Sequence, residues 1–203
     1  MLQTKTVEHF TLELLKDLMQ RDYLRQFFLV GGTALSLQIG HRKSIDLDLF
    51  TVEDFSTDIL IPKLLRDYSV SPTLQLPQTL ICTLNGIKVD FIRFKYEIIR
   101  PIIEIDGIRM LSVDDIAPMK LDAINGRGKK KDFYDLYFLL KQYSIENLFN
   151  LFLEKYPHQT TFHVARSLTY FVDAENDPDP FTFEPKLTWD KVKTTIIKEI
   201  RKI

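Results

Sequence analysis

A single cysteine, Cys82, occurs in the 203 residues, so no intramolecular disulfide can staple the chain and no cysteine-based zinc cluster can form. The opening segment MLQTKTVEHF lacks the apolar stretch of a secretory leader. No uninterrupted apolar run approaches the roughly 20 residues that a membrane span needs. Neither sign of charge dominates. The 27 basic and 28 acidic residues leave a formal net charge of -1, which provides no global field to gather nucleic acid or an anionic membrane. The expectation is a soluble, cytoplasmic protein without membrane contact, which meets any polyanion only locally. Repeats and low-complexity tracts are absent as well. Apolar residues are plentiful: 45% of the chain is hydrophobic, with 15 Phe and 8 Tyr, enough for a packed core and too many for a disordered chain.

Val7, Phe10, Leu14, Leu15 and Leu18 fall at helical spacing and predict an amphipathic helix at the start. The short run Phe27 to Val30, bounded by Gly31-Gly32, reads as a buried strand. Thr33 to Gln38 then favours helix, with Gly40 placed to end it. Ile45 to Phe50 alternates apolar and acidic residues as a half-buried strand does, and a helix follows from Ser56 to Tyr68. Strands Thr79–Leu84 and Ile87–Phe94 flank Asn85-Gly86, a strong hairpin signal, and Asp106-Gly107 predicts a second turn between strands. From Ser112 the period becomes helical, with Ser112 and Asp115 forming a capping box. Gly126 and Gly128 end that helix; two more follow, around Phe133–Leu140 and Ile145–Leu153. Asp177-Pro178-Asp179-Pro180 reads as an extended loop, and Thr188 caps a last helix. The expected fold is α+β, with an α/β core over residues 1–110 and a C-terminal helical region over 111–203 that completes a cleft.

The chemistry concentrates in a few acidic residues. In a strand over 45–50, Asp46 and Asp48 leave one face while Ile45, Leu47 and Leu49 enter the core. Their separation of about 6.6 Å lets both grip one cation or a cation pair, and without a cation the repulsion would raise one pKa. Asp90 interrupts an otherwise apolar strand and reaches the same face if that strand lies alongside. Such a set suits Mg²⁺ shared with nucleotide phosphates, or a metal pair about 3.5–4 Å apart. An ordinary polar strand face is the alternative. Gly31-Gly32-Thr33 joins a strand to a helix, where main-chain N–H groups can receive a phosphate. Thr33 either donates its hydroxyl to a ligand or caps the helix. Arg42 either neutralises phosphate or pairs with a nearby aspartate. Arg127, Lys129, Lys130 and Lys131 form a local basic run, a solvated loop or a phosphate contact. Asp132 and Asp135 share one face of the following helix, where capping and a general-base role for Asp132 are both open.

Taken in order, Leu29-Val30-Gly31-Gly32-Thr33-Ala34-Leu35 and Gly40-His41-Arg42-Lys43-Ser44-Ile45-Asp46-Leu47-Asp48-Leu49-Phe50 resemble the signature of DNA polymerase β-type nucleotidyltransferases, and more specifically the AbiEii/AbiGii nucleotidyltransferase toxin family. The later segments Ile116 to Ile124, Arg127-Gly128, Lys131 to Tyr137 and Leu187 to Val192 are similar to that family's motifs too, so the resemblance covers nearly the whole chain. It implies a polymerase β-like core with helices on one face of a mixed sheet. Asp46, Asp48 and, by strand position only, Asp90 would be metal ligands. Gly31, Gly32 and Thr33 would hold the triphosphate, Lys120 would contact phosphates, and Asp132 would be catalytic or positioning. The glycine pair departs from the Gly-Ser of many relatives, so a serine hydroxyl is missing unless Thr33 replaces it. The implied activity is Mg²⁺- or Mn²⁺-dependent transfer of NMP from an NTP to a hydroxyl of RNA, tRNA or protein, in a toxin-like setting with a cognate antitoxin. A catalytically silent nucleotide-binding or interaction module on the same fold is the alternative, and a metal-dependent phosphohydrolase ranks last.

Overall fold

Leu47, Leu49 and Thr51 are buried, while Asp48 and Phe50 between them face the other way, the two-residue period of a strand covered mainly on one side. This strand, β2 (Leu47–Thr51), lies within a seven-stranded mixed sheet in the computed structural model, which describes residues 1–203. The other strands are β1 (Phe28–Val30), β3 (Val70–Leu76), β4 (Thr79–Leu84), β5 (Ile87–Arg93), β6 (Ile103–Ile105) and β7 (Ile108–Met110). They are ordered β3-β4-β5-β2-β1-β7-β6. β2 runs antiparallel to β1 and parallel to β5, so the chain must cross over between β2 and β5. It does so through α3 (Thr57–Asp67) and the β3–β4 hairpin. The two expected tight turns form with positive φ at both residues: 50° and 86° at Asn85-Gly86, 52° and 75° at Asp106-Gly107, the backbone that matches the twist of paired strands.

The remaining helices are α1 (His9–Gln20), α2 (Gly31–Ile39), α4 (Val113–Gly126), α5 (Lys130–Leu139), α6 (Ile145–Lys155), α7 (Thr161–Ser167) and α8 (Trp189–Ile200). Residues 32–37 of α2 are all buried, because this helix lies between β1 and β2 on one side and α4 and α5 on the other. α4 is the hub of the second half and packs against α2, α5, α6 and α7. The expected caps are present: Ser112 accepts from the Asp115 amide at 3.3 Å and Thr188 from the Lys191 amide at 3.3 Å. One cluster of 46 buried hydrophobic residues runs through the sheet and the C-terminal helices alike, so the two stretches of chain share a single core.

Four elements differ from the sequence pattern. Ile45 is 59% exposed instead of entering the core, because the strand starts only at Leu47. Ahead of it, Ser44 is bridged to Val7 and the Asp46 carbonyl receives the Thr33 hydroxyl. Phe10 is 77% exposed, since α1 begins at His9 and its buried face is Thr11, Leu14, Leu15, Leu18 and Met19. β3 and α7 were not anticipated. β3 is an exposed edge strand with a register shift beside Pro72, an edge position that tolerates a missing donor and blurs the period.

The two halves are tied by a cluster of buried charges. The carboxylate of Asp135 on α5 is fully buried and accepts from Nε of Arg42 at 2.6 Å and Nη2 at 2.9 Å. It also takes Nε2–H of His41 at 2.6 Å and lies 2.7 Å from Nζ of Lys120 on α4. Lys120 donates in addition to Asp132 at 3.0 Å, and Arg127 grips Asp132 through Nε at 3.0 Å. Burial by itself would raise the Asp135 carboxyl, but Arg42, Lys120 and His41 hold it well below the usual carboxylate range. A carboxylate depressed in this way adds stability above the ordinary range, and that contribution disappears as pH falls through the folded-state value. Asp135→Asn leaves Arg42 and Lys120 under-compensated inside the protein. At neutral pH it should cost about 3–5 kcal/mol in urea denaturation, and the gap to wild type should close in acid.

Candidate active site

β1 ends at Val30 and the chain turns directly into α2, with Gly31 at φ +69°. Two different neighbours demand the glycine pair. A Cβ on Gly31 would stand 2.3 Å from Oδ2 of Asp48, and a Cβ on Gly32 would stand 2.4 Å from Nη2 of Arg42. The first glycine lets a carboxylate lie against the main chain; the second admits the guanidinium that Asp135 holds. The first-turn N–H groups of α2 have no intrahelical acceptors and carry the positive pole of the helix, the geometry that receives a phosphate.

Asp48 and Asp90 are register partners across the parallel β2/β5 pair, so their side chains leave the same face side by side. Burial and then the neighbouring Asp90 push the Asp48 carboxyl above the ordinary range, against the pull of Lys120 and Lys88. Asp90 is buried; its Oδ2 accepts from Lys88 Nζ at 3.0 Å, and its Oδ1 has no partner. Asp46 precedes the strand, and its carboxylate lies 3.5 Å from Lys131 Nζ. No three His, Cys, Asp or Glu side chains are gathered into a ready-made metal cage. Mg²⁺, however, typically takes one or two carboxylates and completes its shell with water and phosphate. The orphaned oxygen of Asp90, the raised Asp48 carboxyl and the open space over Gly31 fit such an ion.

α4 forms the facing wall. A cleft of about 330 Å³ is lined by Val30, Gly31, Asp48 and Phe50 on the sheet side and by Met119, Lys120, Asp122, Ala123, Gly126 and Arg127 on the other. Of the basic run, Arg127 lines this cleft and Lys131 reaches Asp46. Lys129 and Lys130 instead engage Asp177 and the Glu175 carbonyl. Thr33 is buried, its hydroxyl shared between Ser44 Oγ at 2.9 Å and the Asp46 carbonyl, so it pins the approach to β2 instead of facing the cleft. Arg42 is likewise buried on Asp135, the second of the two roles the sequence left open for it. Asp132 is fully buried beneath Lys120 and Arg127.

Two residues outside the sequence-derived site set prove central to this geometry, His41 and Asp135. Their residue types are visible in the chain, but their partnership spans 94 positions and no local pattern signals it. The same holds for Asp177, which accepts from the Lys130 amide at 3.1 Å and so caps α5 from a distant loop. Phe181 to Phe183 then run alongside His41 to Lys43: Lys43 donates to the Phe181 carbonyl and Phe183 to the His41 carbonyl, each at 2.9 Å.

No helix is long and apolar enough to cross a membrane. A protein of Aquifex aeolicus (strain VF5), itself uncharacterized, is 35% identical over 202 residues, 93% of each chain. Among solved structures, JHP933 from Helicobacter pylori superposes with a TM-score of 0.57 at 16% identity, over 96% of this chain and 92% of that one. The nucleotidyltransferase toxin MenT4 from Mycobacterium tuberculosis H37Rv does so with a TM-score of 0.54 at 13% identity, over 88% and 76%. At these identities the two structures speak for the α+β nucleotidyltransferase fold alone. Residues 13–201 match the family described as nucleotidyl transferase AbiEii toxin, type IV TA system, and with so much of its length matched the chain belongs to that family.

Proposed function

We propose that the protein transfers NMP from an NTP to an acceptor hydroxyl with release of pyrophosphate, in the toxin setting of its family and alongside a cognate antitoxin. The observation that carries this reading is the pairing of Asp48 with Asp90 in register, with Asp48 directly against Gly31 at the mouth of α2. Asp48 and Asp90, with Asp46 at the rim, would hold Mg²⁺ or Mn²⁺, which when bound supplies charge neutralisation for the triphosphate and the attacking oxygen. The protein's own groups do the rest. The amides of Gly31 to Thr33 receive phosphate oxygens, and Lys120 and Arg127 offset the charge that builds on the phosphates from the opposite wall. The acceptor hydroxyl oxygen forms a bond to the α-phosphorus and gives up its proton to the Asp90 carboxylate, whose Oδ1 has no other partner. As that bond forms, the bond to the bridging oxygen breaks and the electron pair leaves with pyrophosphate. Asp132, buried against both cations, acts as a positioning residue for Lys120 and Arg127. Catalysis of this kind is orientation and electrostatics.

Incubation with each labelled NTP, Mg²⁺ and total RNA or protein should give label transfer; retained NTP binding with no transfer would make the protein a silent nucleotide-binding module. Asp48→Asn should lower transfer by about 10²–10³-fold. The same substitution removes one of two facing charges, so without divalent ions its Tm should equal or exceed that of wild type. A drop in Tm would show Asp48 to be a structural residue. Gly31→Ala should abolish transfer to a similar degree, because the added methyl and the Asp48 carboxylate cannot both keep their places.

A further inference from the structure

Lys88 and Asp90 stand two positions apart on β5, so both side chains leave the face of the sheet that carries Asp48. The Lys88 ammonium donates to Asp90 Oδ2 at 3.0 Å, the only hydrogen bond it makes within the chain. Its side chain is 50% exposed, whereas the Asp90 carboxylate is almost entirely covered. Asp46 has a similar companion in the half-exposed side chain of Lys131, whose Nζ lies at 3.5 Å. The two carboxylates that flank Asp48 therefore each carry one flexible ammonium with much of its surface in water. The other cations of the cleft are held differently. Lys120 is buried between Asp132 and Asp135, and Arg127 donates to both oxygens of Asp132. Those charges are fixed in place. Lys88 hangs by one bond at the end of a four-carbon stem and can turn away by rotation about it.

We propose that Lys88 is a displaceable counter-ion of Asp90, which gives up this carboxylate when a divalent ion and an NTP arrive together and then binds the triphosphate. The proposal rests on the transferase reading of the cleft and adds a substrate-binding residue and a coupling between metal and nucleotide. Asp48 and Asp90 repel one another across adjacent strands, and Lys88 relieves that repulsion from the Asp90 side. A divalent ion offers Asp90 a stronger partner, but it must evict an ammonium that then has no carboxylate of its own. Phosphates resolve the conflict. They bring charged acceptors for the freed ammonium beside Asp48, on the same face of the sheet. Metal alone thus competes with Lys88, whereas metal and triphosphate together leave every charge partnered. Only Oδ2 of Asp90 changes hands in this exchange; Oδ1, which has no partner in the chain, stays open to the acceptor hydroxyl.

Lys88→Met keeps the stem and removes the charge, so its two effects should have opposite signs. Mn²⁺ binding without nucleotide, followed by calorimetry, should tighten roughly fivefold, because nothing competes for Asp90. Affinity for a non-hydrolysable NTP at saturating Mn²⁺ should weaken by a similar factor. Lys88→Gln should repeat both changes, which removes any effect of how a methionine packs, and Lys88→Arg should restore wild-type behaviour in both measurements. A side chain that merely supported the fold would move the two affinities in the same direction. Unchanged or weaker Mn²⁺ binding in Lys88→Met would overturn the proposal, and so would unchanged nucleotide affinity. Failure of wild type and Lys88→Met alike to bind Mn²⁺, with or without nucleotide, would overturn the transferase reading and the proposal with it.

Discussion

The carboxylate of Asp135 accepts from a guanidinium and an imidazole and lies against an ammonium, and it is wholly removed from water while it does so. Each of those three partners comes from a different place: two from the turn between α2 and β2, one from α4. With Asp135 on α5, one buried anion thus sets the distance between the sheet-bearing part of the chain and the helices that wall the cleft. Lys120 lines the cleft with its ammonium held by Asp132 and Asp135. Arg42 in turn fills the space that Gly32 leaves open. The glycine turn and the opposing cations therefore owe their mutual geometry to an interaction outside the sequence-derived site set.

Two acidic pairs in this fold are treated in opposite ways, and the contrast separates support from chemistry. Asp132 and Asp135 are saturated by Lys120, Arg127, Arg42 and His41, and both carboxyls are held below their ordinary range. Asp48 and Asp90 face each other with one oxygen of Asp90 unpartnered, and the Asp48 carboxyl rises. An interior does not leave anions exposed to one another unless something outside the chain relieves them. The saturated pair is scaffold; the frustrated pair is the candidate ligand site.

Most of the frame was legible in the residues. The Asn85-Gly86 and Asp106-Gly107 turns, the Ser112 and Thr188 caps and the switch from two-residue to helical period near residue 111 are local signals, and the structure shows each of them. The neighbourhood of Asp48 and Asp90 was conditional on strand order, which no local pattern encodes; the parallel β2/β5 register supplies it. Where local reading failed, a distant partner overrode the pattern. Ile45 turns outward because Val7 and Thr33 claim the main chain around it, and Arg42 and Thr33, which suited phosphate by type, are consumed by internal contacts. Arg127 stays at the cleft, held by Asp132, while Lys129 and Lys130 are drawn off to Asp177 and Glu175.

The segment Phe181 to Phe183 lies along His41 to Lys43, and Asp177 just before it caps α5. The turn that presents Arg42 to Asp135 is thus braced by residues that leave the ribosome some 140 positions after it. A nascent chain lacks that brace until some 140 further residues have been added, even though its glycine turn and all three candidate metal-binding aspartates emerged long before. Until that stretch is made, the turn that carries Arg42 goes without two of its main-chain hydrogen bonds and the helix behind it without its Asp177 cap.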